Sequence, residues 1–167
     1  MIEGIAKQQL IKAGWYPGRK INISQYENVY EKYGYNFFPA ARRFVEEFGD
    51  LYIEDSFYID VYGKKRVLTH QSSTEAIQFT FPMPEEVREL VGRDIVPVAM
   101  LYHMETCMYI SEDGKFYQNE RVGGLAAENS DQLWNEYYGT VRGFATWEEL
   151  KEGKGRTMFT QTVEQFI

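Results

Sequence analysis

Apolar residues up to Gly49 recur every three or four positions, which is the spacing of an amphipathic helix. Three helices are predicted in this part of the chain: Ile2–Ala13, a helix running from a Ser24 capping box to Tyr33, and Ala40–Phe48 behind Pro39. Each of them is followed by a glycine that suits a helix end: Gly14, Gly34 and Gly49.

Beyond Gly49 the hydrophobic period changes to two, which predicts half-buried antiparallel strands. The alternating runs are Leu51–Ile53, Phe57–Val61, Arg66–Thr69 after a turn at Gly63, and Ile77–Phe81. A short helix over Glu85–Val91 follows, with acidic residues in its first turn, where they interact favourably with the helix dipole.

A hairpin is predicted at the centre of the chain. Strands over Val96–Leu101 and Thr106–Ser111 are followed by a turn at Glu112–Lys115 and a third strand from Phe116. The Asp-Gly pair in this turn is a strong hairpin signal, because Gly114 accepts a positive φ without steric cost.

The last part of the chain is predicted to be mainly helical. Gly123-Gly124 would connect a strand to a helix, and Ser130 would cap a helix over Asp131–Tyr138 that ends at Gly139. Residues 156–167 alternate in a way that permits a strand. The order of elements predicts an α+β fold, a single domain with a mainly antiparallel sheet flanked by helices.

The composition limits the classes of molecule that this chain is expected to bind. The chain has 167 residues, a net charge of −7 and 16% aromatic residues. The acidic balance argues against binding to nucleic acid or to an anionic membrane surface, and it suits a basic protein partner. The aromatic residues are expected mainly in the core, with a tyrosine-rich binding surface as the alternative.

Cysteine, histidine and hydropathy patterns further limit the function. One cysteine excludes an intramolecular disulfide, and two histidines make a zinc cluster improbable. We find no secretory signal pattern and no run of about 18 apolar residues, so the expected location is cytoplasmic.

The sequence predicts no catalytic residue, no cofactor and no metal site. Phosphate-loop, dinucleotide-binding, zinc-protease and hydrolase-elbow motifs are missing. His103, Glu105 and Cys107 are the one local group that could indicate Cys/His chemistry, against an ordinary buried cysteine. The adjacent carboxylate pairs are interpreted as solvated caps and turns, because neighbouring side chains diverge.

An acidic, tyrosine-bearing stretch runs from Glu105 to Glu136, where seven acids are accompanied only by Lys115 and Arg121. Such a face could bind a basic protein, since complementary charge raises the association rate and tyrosine supplies contact area. The alternative is an ordinary solvated surface. The candidate partner-binding residues are Glu105, Glu112, Asp113, Glu120, Tyr102, Tyr137 and Tyr138.

Four segments together resemble the third subgroup of the SUKH immunity-protein superfamily: AGWYPGR at 13–19, FVEEFGDLYI at 44–53, VGRDIVPV at 91–98 and ISEDGKFY at 110–117. Ala99 stands where a glycine is common in that family, and the region around Gly123 is only loosely similar. The landmarks are interpreted as structural: Trp15, Arg19, Phe48, Gly49, Gly92, Pro97, Gly114 and Gly139.

The resemblance implies a SUKH-like immunity domain over residues 1–142, with residues 143–167 as a C-terminal extension packed on it or trailing from it. It implies a non-enzymatic bacterial protein that binds and neutralises a cognate toxin domain, often a nuclease, in a polymorphic or contact-dependent toxin system. The alternatives are a general protein-interaction scaffold of the same fold and a small hydrolase using an acid or His103.

Overall fold

A six-stranded antiparallel sheet is the centre of the fold, with its strands in chain order β1-β2-β3-β4-β5-β6. The strands are β1 Leu51–Ile59, β2 Lys65–Ser72, β3 Ile95–Leu101, β4 Thr106–Ser111, β5 Phe116–Gln118 and β6 Gly124–Ala127. The computed structural model describes residues 1–59, 65–83, 85–91, 94–101, 106–118 and 124–138.

Three helices precede the sheet, two connect β2 to β3, and a short helix follows β6. They are α1 Gly4–Lys12, α2 Ser24–Lys32, α3 Pro39–Phe48, α4 Thr74–Phe79, α5 Glu85–Val91 and α6 Ser130–Gln132, which continues as a π-helix over Leu133–Tyr138. The predicted α+β class is therefore confirmed, and so are the three strands of the central hairpin region.

Side chains from both faces of the sheet centre are buried in one hydrophobic cluster. In β4, Cys107 and Tyr109 alternate with Met108 and Ile110, and all of them are buried. On the helix side of the cluster, the ring of Phe44 in α3 lies 5.1 Å from that of Phe116. Several tyrosines belong to this core, which agrees with the predicted aromatic interior; Tyr26, Tyr30, Tyr35 and Tyr109 are buried.

Pro97 is accommodated in the middle of the sheet by a register shift between Pro97 and Ala99, where β3 pairs with β4. A proline cannot donate to the strand ladder, so bulges are among the few places where a sheet tolerates it. The Pro97 carbonyl instead accepts a buried hydrogen bond from the Tyr30 hydroxyl at 2.5 Å. This bond fixes α2 to the sheet.

The prediction of a strand over Ile77–Phe81 is wrong, because this segment contains helix α4. Ser73 caps the helix: its hydroxyl accepts from the Ala76 amide at 3.1 Å. Ala76 and Ile77 are buried, whereas Phe79 and Phe81 are exposed. The alternation of apolar residues therefore did not reflect alternating burial.

Two predicted caps are also wrong. Ser24 does not cap α2 with its side chain, since its hydroxyl donates to Asn22 Oδ1 at 2.6 Å. The late helix is capped by Asn129, whose Oδ1 accepts from the Gln132 amide at 2.9 Å, and not by Ser130. Gly124, predicted in a strand-to-helix connection, begins strand β6.

Candidate protein-binding groove

The turn between β4 and β5 presents two carboxylates to solvent. Gly114 has φ +84, and the Ser111 amide donates to the Lys115 carbonyl at 2.9 Å, which closes the turn. Glu112 and Asp113 are exposed at its tip. The Ser111 hydroxyl donates to the Asp113 carboxylate, so this acid is held in place by the strand that precedes it.

The segment between β6 and α6 lies beside this turn. Lys115 Nζ forms a salt bridge with Glu128 Oε2 at 3.1 Å, and both side chains remain partly exposed. The hydrogen bond and the charge of Glu128 raise the pKa of Lys115. Hairpin turn and helix start, which the sequence predicted as parts of one acidic face, are therefore neighbours.

Helix α3 forms the third side, and the loop after α1 holds its last turn. Trp15 Nε1 donates to Glu47 Oε1 at 3.1 Å, and Arg19 donates to the Glu47 carbonyl at 2.6 Å. The Ile21 amide donates to the Glu46 carbonyl at 2.9 Å. Carbonyls at a helix C-terminus have no partner within the helix, so the 13–19 motif and the residues just after it supply the missing donors.

Together these three segments enclose a groove of about 300 Å³. Buried apolar side chains form its floor: Ala40, Phe44, Phe48 and Ile110. The charged side chains that line it are Arg43, Glu47, Asp113 and Glu128. Because Lys115 compensates the charge of Glu128, the groove keeps an acidic excess from Glu47 and Asp113 against Arg43. An apolar floor below carboxylates suits a long basic side chain, whose stem is apolar and whose head is charged.

The structure brings only some of the candidate binding residues to this groove. Asp113 lines it, and Glu112 lies next to Asp113 in the same turn. Glu105, Glu120 and Tyr102 lie outside the described residues. The backbone of Tyr137 and Tyr138 belongs to the π-helix, while nothing is described of their side chains. Tyr109, also part of the acidic tyrosine-bearing stretch, is buried and cannot contribute contact area.

The sequence of α3 predicts a solvated polar face with two i,i+4 ion pairs, Arg42 with Glu46 and Arg43 with Glu47. For that reason Arg43 and Glu47 were not expected to line a groove. Neither pair is among the salt bridges of the described residues. Arg42 instead pairs with Glu27, and Lys20 Nζ lies 3.6 Å from Glu46 Oε2. Glu27 and Lys20 lie outside α3, so the residue pattern of this helix does not predict either ion pair.

Some of the structural landmarks lie in the part of the chain that the structure describes, and the others lie outside it. Trp15, Phe48 and Pro97 lie within the fold described above, Arg19 binds α3, and Gly114 makes the turn. No side chain fits at Gly49, because a Cβ there would lie 2.5 Å from the Val45 carbonyl oxygen. Gly92 and Gly139 fall outside the described residues.

The Cys/His alternative finds no support at Cys107. This thiol is 3% exposed, and burial raises its pKa from 9.0 to about 12 despite hydrogen bonds with Tyr109 and Thr80 that lower it. A nucleophilic cysteine needs the thiolate form, which this environment disfavours at neutral pH. His103 and Glu105 lie outside the described residues. In the described part of the chain, no three His, Cys, Asp or Glu side chains form a possible metal-binding group.

Comparisons with known proteins give one match. A family model described as SUKH-3 immunity protein matches residues 3–138. No curated protein and no solved structure matches the chain significantly. None of the helices in the described ranges has the length and apolarity needed to cross a membrane.

Proposed function

Because this chain belongs to the SUKH-3 immunity protein family, we propose that it binds and neutralises one cognate toxin domain, without catalysing a reaction. The observation that carries the proposal is the family match, which extends from the first helix to the π-helix. Membership gives an immunity role and therefore a toxin as partner. The toxin's activity and the surface that recognises it are inferred from the groove.

The groove supports recognition of a basic partner. Its carboxylates come from three separate elements, and a side-chain or strand contact restrains each one: Trp15 binds Glu47, Ser111 binds Asp113, and Lys115 binds Glu128. Restrained carboxylates lose little side-chain entropy when a partner binds, so more of the interaction energy appears as affinity. An ordered acidic surface of this kind suits docking better than a set of freely rotating acids.

A nuclease is the class of toxin that this charge pattern favours. The substrate groove of a nuclease is positively charged, because it neutralises the phosphates of its substrate. A protein with net charge −7 and an acidic groove can occupy such a surface in place of nucleic acid. The complementary charges would also accelerate association.

The test is to express the chain with the polypeptide encoded beside its gene in a bacterial polymorphic toxin system. The two should copurify, and titration of the chain into the nuclease assay of that polypeptide should abolish activity at a ratio of one to one. Binding without inhibition would indicate a scaffold instead. Loss of toxin activity at far below one equivalent would indicate an enzyme, and both results would contradict the proposal.

A further inference from the structure

A strip of aromatic side chains lies at the C-terminal ends of α2 and α4, apart from the groove. Phe79 is 63% exposed and Phe81 is 49% exposed. The Phe81 ring lies 4.8 Å from the ring of Tyr33, which is half-buried. Thr80, between the two phenylalanines in sequence, is half-buried, and its hydroxyl donates to the Ile77 carbonyl at 2.9 Å. We call Phe79, Phe81 and Tyr33 the aromatic strip.

Opposite charges flank the two ends of the aromatic strip. Lys32 Nζ lies 5.3 Å from the centroid of the Tyr33 ring. At the other end, Glu75 is exposed and precedes Phe79 by four residues in α4, so the two share one face of that helix. The surface therefore runs from an acid, over aromatic rings, to a base.

We propose that the aromatic strip is the interface with a second copy of this chain. In a twofold symmetric dimer the same patch meets itself, so each residue faces its counterpart on the opposite side of the axis. Two strips related in this way bring aromatic rings together at the centre. Glu75 then faces Lys32 of the partner subunit, and this contact occurs twice. A partner that is only acidic or only basic would meet a complementary charge at just one end of the aromatic strip.

The dimer is expected to be weak, because a strip of three aromatic side chains falls at the low end of specific interfaces, below about 1,200 Å². We expect a dissociation constant in the micromolar range, with dimers forming at high protein concentration. Neither the strip nor its flanking charges line the acidic groove. This interface goes beyond the proposed function and leaves the groove open for a toxin.

Sedimentation equilibrium of the full chain over a range of concentrations tests the proposal. Glu75→Lys and Lys32→Glu should each weaken self-association at least tenfold, because each places like charges opposite one another twice. An equimolar mixture of the two variants should recover association, because in the mixed dimer the two changed residues face each other with opposite charges and the unchanged Glu75 and Lys32 also face each other. Phe79→Ser should also weaken the dimer, and Glu3→Lys on the N-terminal side of α1 should leave it unchanged.

Three results would overturn the proposal. The first is a wild-type chain that stays monomeric throughout, and the second is a pair of charge variants that associate as well as the wild type. The third is a double variant, Glu75→Lys with Lys32→Glu, that fails to recover the association lost in the single variants. If the wild-type chain is monomeric and Phe79→Ser weakens toxin binding instead, the aromatic strip belongs to the toxin interface. Circular dichroism of each variant confirms that a loss of association is not a loss of fold.

Discussion

The indole nitrogen of Trp15 donates to Glu47 Oε1 at 3.1 Å, and this bond connects a structural motif to the candidate binding groove. Trp15 is buried and stacks on Phe48, with 6.3 Å between ring centroids. Glu47 lines the groove. Trp15, which we interpreted as a structural landmark of the family, therefore also orients Glu47, one of the carboxylates that we propose for binding.

Trp15→Phe should lower the free energy of unfolding by about 1–2 kcal/mol, because it keeps a ring in the core and removes a hydrogen bond to a carboxylate. Urea denaturation followed by circular dichroism measures this change. Tyr16→Phe is the matched control, since Tyr16 is exposed and neighbours Trp15 in the same loop. Equal stability of the two variants would show that the bond to Glu47 contributes nothing.

Asparagine should be tolerated at Gly34 and not at Gly49. Gly34 has φ +71 with open space where a Cβ would stand, and asparagine adopts that conformation more readily than most residues. A Cβ at Gly49 would lie 2.5 Å from the Val45 carbonyl oxygen. Gly49→Asn should therefore cost about 1–3 kcal/mol of unfolding free energy, and Gly34→Asn less than about 1 kcal/mol. The reverse order in urea denaturation would contradict this account of the helix end.

Tyr30→Phe should destabilise the protein by about 1–3 kcal/mol, because the buried Pro97 carbonyl would lose the hydroxyl that donates to it at 2.5 Å. The ring itself would keep its stacking on Phe37, at 4.3 Å between centroids. Comparison of urea midpoints with those of Tyr52→Phe, at an exposed tyrosine, isolates the buried bond. A midpoint unchanged within error would show that the Pro97 carbonyl does not need this partner.

Charge reversal in the groove should weaken toxin binding about tenfold per site and reduce its dependence on salt. The variants are Asp113→Lys and Glu128→Lys in the groove and Glu112→Lys beside it in the same turn, measured by calorimetry at two salt concentrations. Glu3→Lys changes the net charge equally on an exposed position of the chain outside the groove. Affinity that falls as much for Glu3→Lys would show that only net charge matters, and affinity unchanged in all variants would place the toxin elsewhere.

Stability should fall in alkaline solution, beginning near pH 9. Burial raises the pKa of Cys107 from 9.0 to about 12, and burial also raises the pKa values of Tyr26, Tyr30 and Tyr109 above 10.0. The unfolded chain loses these protons first, so above pH 9 it binds fewer protons than the folded chain. The stabilisation is complete below pH 9 and is lost as the pH rises toward 12.

Each such group contributes a slope of about 1.4 kcal/mol per pH unit within its own window. Urea denaturation at pH 8, 9, 10 and 11 measures the combined slope, and absorbance at 295 nm reports tyrosine ionisation. Cys107→Ala removes the earliest contribution and should delay the onset. Constant stability up to pH 11 would mean that these groups ionise without unfolding.

The sequence predicted elements whose signals are local. The Asp-Gly turn located the hairpin, because Gly114 is needed at φ +84, and Pro39 marked the start of α3. The Ile77–Phe81 pattern failed because Phe79 and Phe81 are exposed, so their hydrophobicity did not report burial. The hairpin turn and the start of the late helix belong to one acidic stretch of the sequence, so their shared part in a binding surface could be anticipated. Glu47 could not, since its place depends on packing between α3 and a hairpin more than sixty residues away in sequence.

The order β1-β2-β3-β4-β5-β6 has a consequence for how the protein is made, since every strand pairs with its neighbour along the chain. Pairing between successive strands keeps the loops that must close comparatively short, which favours rapid folding. The sheet can therefore grow strand by strand while the chain leaves the ribosome. The final contacts come later, when the Asn135 side chain donates to the Met1 carbonyl at 2.8 Å and accepts from the Glu3 amide at 2.9 Å. We expect the sheet to be formed during synthesis, with the first helix secured only once the π-helix has emerged.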